Sequence, residues 1–235
     1  MHKIQTMQEI TSNTTISEQA FQVLRQDVLS GQHPPEARLK LESLQSVYGF
    51  SSSPLREALN RLVQEGLVKA DERKGFRVAA ISPADLADIT KMRLMLDIPA
   101  LTESIQAGDD AWEASVVAAF HRLEKIESRL QHGPVALDAQ WSKRHRDFHL
   151  SLIAACPSER QLAWSMSLFD QAERYRHFAA RNRTVSKKKN EEHRSLMKAV
   201  LNRDAATATT LLAEHISSTQ ANVMAAFTQV EAQRI

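Results

Sequence analysis

The chain has a single cysteine, Cys156, in 235 residues. That excludes an internal disulfide and any thiolate-rich metal site. Glycine is scarce as well, six in all, and aromatic residues make up only 6%. With long stretches of apolar residues at helical spacing, this scarcity points to a mostly helical protein. No apolar run approaches the length of a membrane span, and Met1 to Ile10 holds no apolar signal core, so a soluble cytoplasmic protein without membrane contact is expected. The formal net charge of +2 is too small for a histone-like coat. It still permits one local basic face. Also missing are a His-Glu-x2-His element, a placed carboxylate pair, a credible Ser/His/Asp set and a phosphate-cradling glycine loop. A metal-dependent hydrolase built on the histidines therefore has thin support, with Asp147 and Glu192 the only acids near them in sequence.

What is present is punctuated helix. Residues 1–13 are polar and aperiodic and read as a mobile arm. Thr14 or Thr15 can cap a helix running to about Ser30, with Ile16, Ala20, Phe21, Leu24 and Val28 on one face. A second helix is expected over Leu41 to Tyr48, a tight turn at Gly49, and a third helix from Ser53 to Glu65. Two short β-prone pieces follow, Leu67 to Ala70 and Phe76 to Ala79, with Gly75 able to take a positive φ between them. Three helices and a hairpin make a winged helix-turn-helix, residues 14–80. From the cap Ser82-Pro83 onward the pattern stays helical, near 83–107, 110–130, 136–155, 158–181, 186–202 and 204–230. The expected fold class is mainly α, an N-terminal winged helix-turn-helix plus a C-terminal all-helical bundle over 81–235.

A short helix, a glycine turn and a second helix is the geometry that seats a helix in the DNA major groove. Ser51, Ser52 or Ser53 can cap the third helix, and its N-terminal amides suit a phosphate oxygen. Leu55, Leu59 and Leu62 fall on the buried face, leaving Arg56, Asn60 and Arg61 toward the groove, where Arg can read guanine and Asn adenine. On the wing, Arg73, Lys74 and Arg77 can reach backbone phosphate or the minor groove. Taken singly, any of these arginines is as readily a solvated charge.

In the second half, His145 and His149 are four apart and share a helix face, while Asp147 points away from it. His193 and His215 fall in later amphipathic helices. By spacing alone, such a pair is more often packing or surface than a ligand set. The run 173–189 adds cations, of which Tyr175 and Arg176 can line an anion pocket and Lys187 to Lys189 suit a solvated helix start.

Ser53-Pro54-Leu55-Arg56-Glu57-Ala58-Leu59, followed by Arg61-Leu62 and Glu65-Gly66-Leu67-Val68, resembles the signature of GntR-type transcriptional regulators. The resemblance implies a homodimer on a pseudo-palindromic double-stranded operator, with Arg56 in the family's recognition-helix arginine position and Gly75 at the wing tip. Ser52 departs from it, standing where most relatives carry an arginine. The region from about Ser82 to Val230 resembles the helical ligand-binding domain of the FadR-type branch, called FCD, through Arg93-Leu94-x2-Asp97, Phe148-His149-x2-Leu152, His193 and His215. That resemblance implies a divalent metal ion held by His149, His193 and His215. His145 stands at the family's aspartate position, so the resemblance implies four histidines, or three with His145 in a looser role. Imidazole there favours a borderline ion, zinc first and nickel next, over magnesium or calcium. It further implies a small carboxylate effector beside the metal, with Arg93 as its partner unless Arg93 pairs with Asp97, four residues on. RHRDFH and LKLESLQSVYGFSSSPLREAL resemble a CsiR-like sub-branch, which narrows the effector to a short dicarboxylate such as glutarate. The alternative within this frame is a purely metal-sensing DNA binder.

Overall fold

A computed structural model describes residues 14–71, 75–129, 139–181 and 189–232. The expected arm at 1–13 lies outside them. The chain divides into two compact units, Met1–Ala80 and Ile81–Ile235.

In the first unit, α1 (Ile16–Leu29) starts at Thr15, whose hydroxyl accepts from the Glu18 amide at 3.2 Å. That bond satisfies one of the amide donors a helix start leaves over. α2 (Leu41–Tyr48) ends on Gly49 at φ 75°, a left-handed position that favours glycine. α3 (Ser52–Gln64) begins three residues after that glycine. Its Leu55, Ala58, Leu59 and Leu62 are fully buried and join Phe21, Leu24 and Val28 of α1 in one apolar core. The Tyr48 hydroxyl donates to Asp27 at 2.5 Å and lies 2.8 Å from His33 Nε2, tying the end of α2 to α1.

The wing is a three-stranded antiparallel sheet, where the sequence suggests only a hairpin. β1 (Arg38–Leu39), β2 (Val68–Asp71) and β3 (Gly75–Val78) are ordered β1-β3-β2. Two residues are too few to show alternation, so β1 has no periodic signal. Its register nonetheless matters. Arg38 lies opposite Arg77, and Arg77 opposite Lys69, so three cations share one face of the sheet. Leu39, Val68 and Val78 are buried on the other.

The second unit is all helical: α4 (Pro83–Ala107), α5 (Asp110–Glu127), α6 (Ala139–Ile153), α7 (Glu159–Arg181), α8 (Lys189–Leu201) and α9 (Ala205–Ala232). Ser82 caps α4 through the Asp85 amide at 3.1 Å, with Pro83 in the first turn, as the sequence suggests. Pro99 lies inside α4 without ending it. The main core runs through Leu101, Trp112, Val116, Leu123, Phe148, Leu152, Leu196 and Leu212. A smaller cluster, Leu86, Ile89, Tyr175 and Val223, joins α4, α7 and α9.

Candidate metal centre and nucleic-acid interface

α3 presents a divided surface. Ser51 precedes it as the N-cap but makes no side-chain bond to the backbone, so its hydroxyl is not committed to capping. Ser51, Ser52, Ser53, Arg56 and Asn60 are exposed along the helix, while the leucines anchor its opposite side. Arg61 behaves differently. Its Nη1 donates to Glu18 at 2.7 Å and its guanidinium carbon sits 3.6 Å from the centre of the Phe21 ring. It is drawn onto α1 by Glu18, 43 residues away in sequence, and stacked as a cation on the Phe21 ring. Glu18 is correspondingly held below the usual carboxylate range by its bonds to Gln22 and Arg61.

On the wing, Gly75 has φ 77° and open space around it, so its glycine is required by backbone conformation alone. Arg73 and Lys74 lie outside the described residues. Arg77 donates to the Glu36 carbonyl at 2.5 Å. Arg38 and Lys69, exposed beside it, are cations that sequence reading missed because only the register of β1 and β2 brings them there.

The helical unit gathers its histidines inside. His145 and His149 come from α6, His193 from α8 and His215 from α9, and all four are buried. One ligand atom from each can be chosen so that all lie within 4.8 Å of one another. The Nε2 atoms of His145 and His149 are 3.1 Å apart. On a tetrahedral zinc ion with bonds of about 2.0–2.1 Å, two nitrogens lie about 3.4 Å apart. Taking up an ion would therefore draw the widest pair in by about 1.4 Å, a side-chain adjustment. Buried ring nitrogens without a hydrogen-bond partner, His193 Nε2 among them, are further grounds for an ion-binding centre.

Burial first, then neighbouring histidines and Arg176, hold His145 well below the usual imidazole range. Burial, the other histidines, Arg93 and Arg176 do the same to His149. Both rings are thus neutral and have the lone pair a metal requires. His215 keeps its Nδ1 on Glu192 at 3.0 Å, which orients the ring. Asp147 pairs with Lys143 at 3.2 Å on the outside of α6.

Next to the histidines, Arg93 donates to Asp97 through Nε at 3.0 Å. These two residues, with His149, Ser165, Phe169 and Leu212, line one cleft. Arg176 donates to Glu173 at 2.7 Å and to the Phe169 carbonyl at 3.2 Å. The guanidiniums of Arg93 and Arg176 lie 5.0 and 4.3 Å from the Phe169 ring centre. That ring is also 5.6 Å from both His145 and His149. Burial raises the Glu173 carboxyl, but Arg176, His177 and Ser142 outweigh it and bring it down to about 2. The centre therefore contains two arginines that already have internal counter-ions. Tyr175 is directed elsewhere. Its hydroxyl donates to Asp85 and accepts from the Ser82 amide, fastening the start of α4. Phe169, Glu173 and Glu127 were not foreseen, because they come from helices whose sequence shares no spacing with the histidines; Trp141, one turn before His145 on α6, could have been read from that spacing.

An exposed recognition helix with a basic wing, joined to a bundle whose polar groups are internal, defines a winged-helix transcriptional regulator. The family models place it more closely. Residues 16–78 match the gntR family of bacterial regulatory proteins and residues 88–218 match the FCD domain. The chain belongs to the GntR family, in the branch with an FCD domain. It is 38% identical to an uncharacterized HTH-type transcriptional regulator, BphR of Paraburkholderia xenovorans, over 89% of this chain and 85% of that protein. It is 36% identical to the HTH-type transcriptional repressor GlaR of Escherichia coli, over 86% and 93%. Among solved structures, Escherichia coli McbR/YncC superposes with a TM-score of 0.75 at 20% identity, covering 92% of this chain and 99% of that one. These relatives are regulators rather than enzymes, so the hydrolase alternative is set aside. Among the described residues no helix is long and apolar enough to cross a membrane.

Proposed function

We propose that this protein is a dimeric repressor whose hold on a pseudo-palindromic operator is set by a small carboxylate seated beside a divalent ion. The observation that carries the reading is the convergence of four buried imidazoles next to the cleft shared by His149 and Arg93. His145, His149, His193 and His215 would hold the ion, with zinc the first expectation and nickel the second. An all-imidazole set brings no negative charge, so an anion is needed to balance a divalent cation. Arg93 and Arg176, now paired with Asp97 and Glu173, would turn in part to that anion, and a short dicarboxylate such as glutarate is the narrower expectation. Similarity to GlaR, described as a repressor, supports the direction of control. On the DNA side, Ser51, Ser52, Ser53, Arg56 and Asn60 face outward for the groove, and Arg38, Lys69, Arg77 and the wing tip at Gly75 serve phosphate.

The effector acts only through a difference in affinity for the free and DNA-bound arrangements. A mobility or fluorescence titration of operator binding at fixed salt, with and without metal and a panel of short mono- and dicarboxylates, tests the reading. Operator affinity unchanged by every acid refutes control by a carboxylate. A second reading, in which the ion alone is the signal, draws on the pairing of Arg93 with Asp97 and Arg176 with Glu173. Under it a chelator alone shifts operator affinity and acids do nothing further.

A further inference from the structure

Behind the histidines, at the end of α5, stands a carboxylate that the proposed function does not use. Glu127 is buried, with 8% of its side chain exposed, and its Oε1 lies 3.3 Å from His193 Nδ1. The same oxygen accepts from Trp141 Nε1 at 3.4 Å. The Trp141 ring is stacked on His145, 4.5 Å between centres and 13° between planes. One carboxylate therefore touches a ligand of α8 directly and a ligand of α6 through an indole. His193 is wholly buried, and neither Nδ1 nor Nε2 makes a hydrogen bond, the 3.3 Å approach of Nδ1 to Glu127 falling just short of one in alignment.

We propose that Glu127 is the positioning residue of this centre: it fixes the proton of His193 on Nδ1, leaving Nε2 for the ion, and steadies His145 through Trp141. The inference rests on the reading that these histidines hold a divalent metal. The two ring nitrogens of a histidine are distinct, and a carboxylate at one selects the tautomer that ligates through the other. Only a slight rotation brings Nδ1–H onto Oε1 at this separation. The remaining oxygen, Oε2, is buried without a partner, which is costly for an acid group facing no cation. A cation at Nε2 strengthens Nδ1–H as a donor and offsets that cost. Glu192 does the corresponding service for His215, but its side chain is 40% exposed and water weakens its hold. Among the described residues His145 and His149 have no such carboxylate, and their Nδ1 atoms are buried without partners. Carboxylate support is therefore uneven: His193 faces a buried carboxylate and His215 a half-exposed one.

The test uses the full chain stripped with a chelator and titrated with Co2+ against a chromophoric competitor, reading both affinity and the visible absorption of the bound ion. Glu127→Gln keeps the volume and an acceptor oxygen but removes the charge, and weakens Co2+ binding about tenfold. Glu127→Leu removes the acceptor too, weakens binding toward a hundredfold, and shifts the absorption band as His193 loses its orientation. Glu192→Gln weakens binding less than Glu127→Gln does. A purely structural role for Glu127 would lower the melting temperature of the metal-free variants and leave cobalt affinity and spectrum at wild-type values; that result overturns the proposal. So does a larger effect of Glu192→Gln than of Glu127→Gln. If Glu127→Leu does not fold, Glu127→Gln decides alone. Failure of the wild-type chain to take up cobalt overturns the metal reading itself and this inference with it, and is recognised before any variant is made.

Discussion

In the winged-helix unit, every buried side chain among the described residues is apolar, and the charged and polar groups lie on its surface. In the helical unit Arg93, Asp97, Asp170, Glu173, Arg174, Arg176 and five histidines are buried. The two halves thus recognise their ligands by opposite means. DNA is a large polyanion met at a surface, so its reader needs a dry core to hold a helix still and cations left in water. A single small ion must be stripped of water and surrounded. That requires polar groups inside, each satisfied by a partner or by the ligand itself. The outward unit can change its surface at little cost in stability. The inward one couples its stability to what it binds.

Breaking one half without the other gives the largest expected effect. Leu59 is fully buried in the core, so Leu59→Ala removes buried contacts and leaves a cavity. It should cost the winged-helix unit about 2–5 kcal/mol, seen as an earlier unfolding transition, while metal uptake stays at the wild-type level. A parallel fall in metal uptake would show that the two units do not hold their ligands independently.

Acid should distinguish the halves next. His145 and His149 are kept neutral in the fold, whereas in the unfolded chain they take up protons near the ordinary value of 6.5. Below that pH the unfolded state binds more protons, so the stability of the metal-free helical unit falls as pH drops from 6.5 toward their depressed folded values. Each contributes a slope of up to ~1.4 kcal/mol per pH unit. Denaturant melts of the chelated protein between pH 7.5 and 5 should show this loss. A flat profile would mean that water reaches these rings.

How much of this was legible in the sequence follows the same division. The helix-turn-helix announces itself locally: caps, the glycine turn and leucine spacing act within a few residues, and α2 begins and ends where expected, at Leu41 and Tyr48. The register of a two-residue strand does not, and it is what sets Arg38 and Lys69 beside Arg77. Arg61 shows the limit on a helix. Its spacing put it with Arg56 and Asn60, but a ring and a carboxylate on α1 turned it aside. For the histidines, spacing gave only the His145–His149 pair. Their convergence with His193 and His215 was carried by resemblance, and Glu127 by neither, since its partners lie 14 and 66 residues onward.

On the DNA-facing side, Arg56 and Arg61 should part company. Arg56→Ala is expected to weaken operator binding by about 1–3 kcal/mol and to relax the preference at one base position. Arg61→Ala should lower stability by no more than about 1 kcal/mol, its ion pair being partly in water, and change operator affinity little. Affinity measurements on operator variants, beside thermal melts, separate the two. Equal losses of affinity would return Arg61 to the groove.

The smallest effect is the most diagnostic for the wing. Like charges directly across an antiparallel pair repel, so a row of Arg38, Arg77 and Lys69 weakens the sheet unless an anion lies against it. Lys69→Gln relieves that repulsion and should leave the fold at least as stable. If Lys69 meets a phosphate in the complex, the variant releases one counterion fewer, and the slope of log affinity against log salt becomes shallower by about 0.9. Because phosphate carries no sequence, operator and unrelated DNA should weaken by the same factor, leaving their ratio unchanged. An unaltered slope would place this face of the sheet away from the duplex and confine the wing's contribution to its tip.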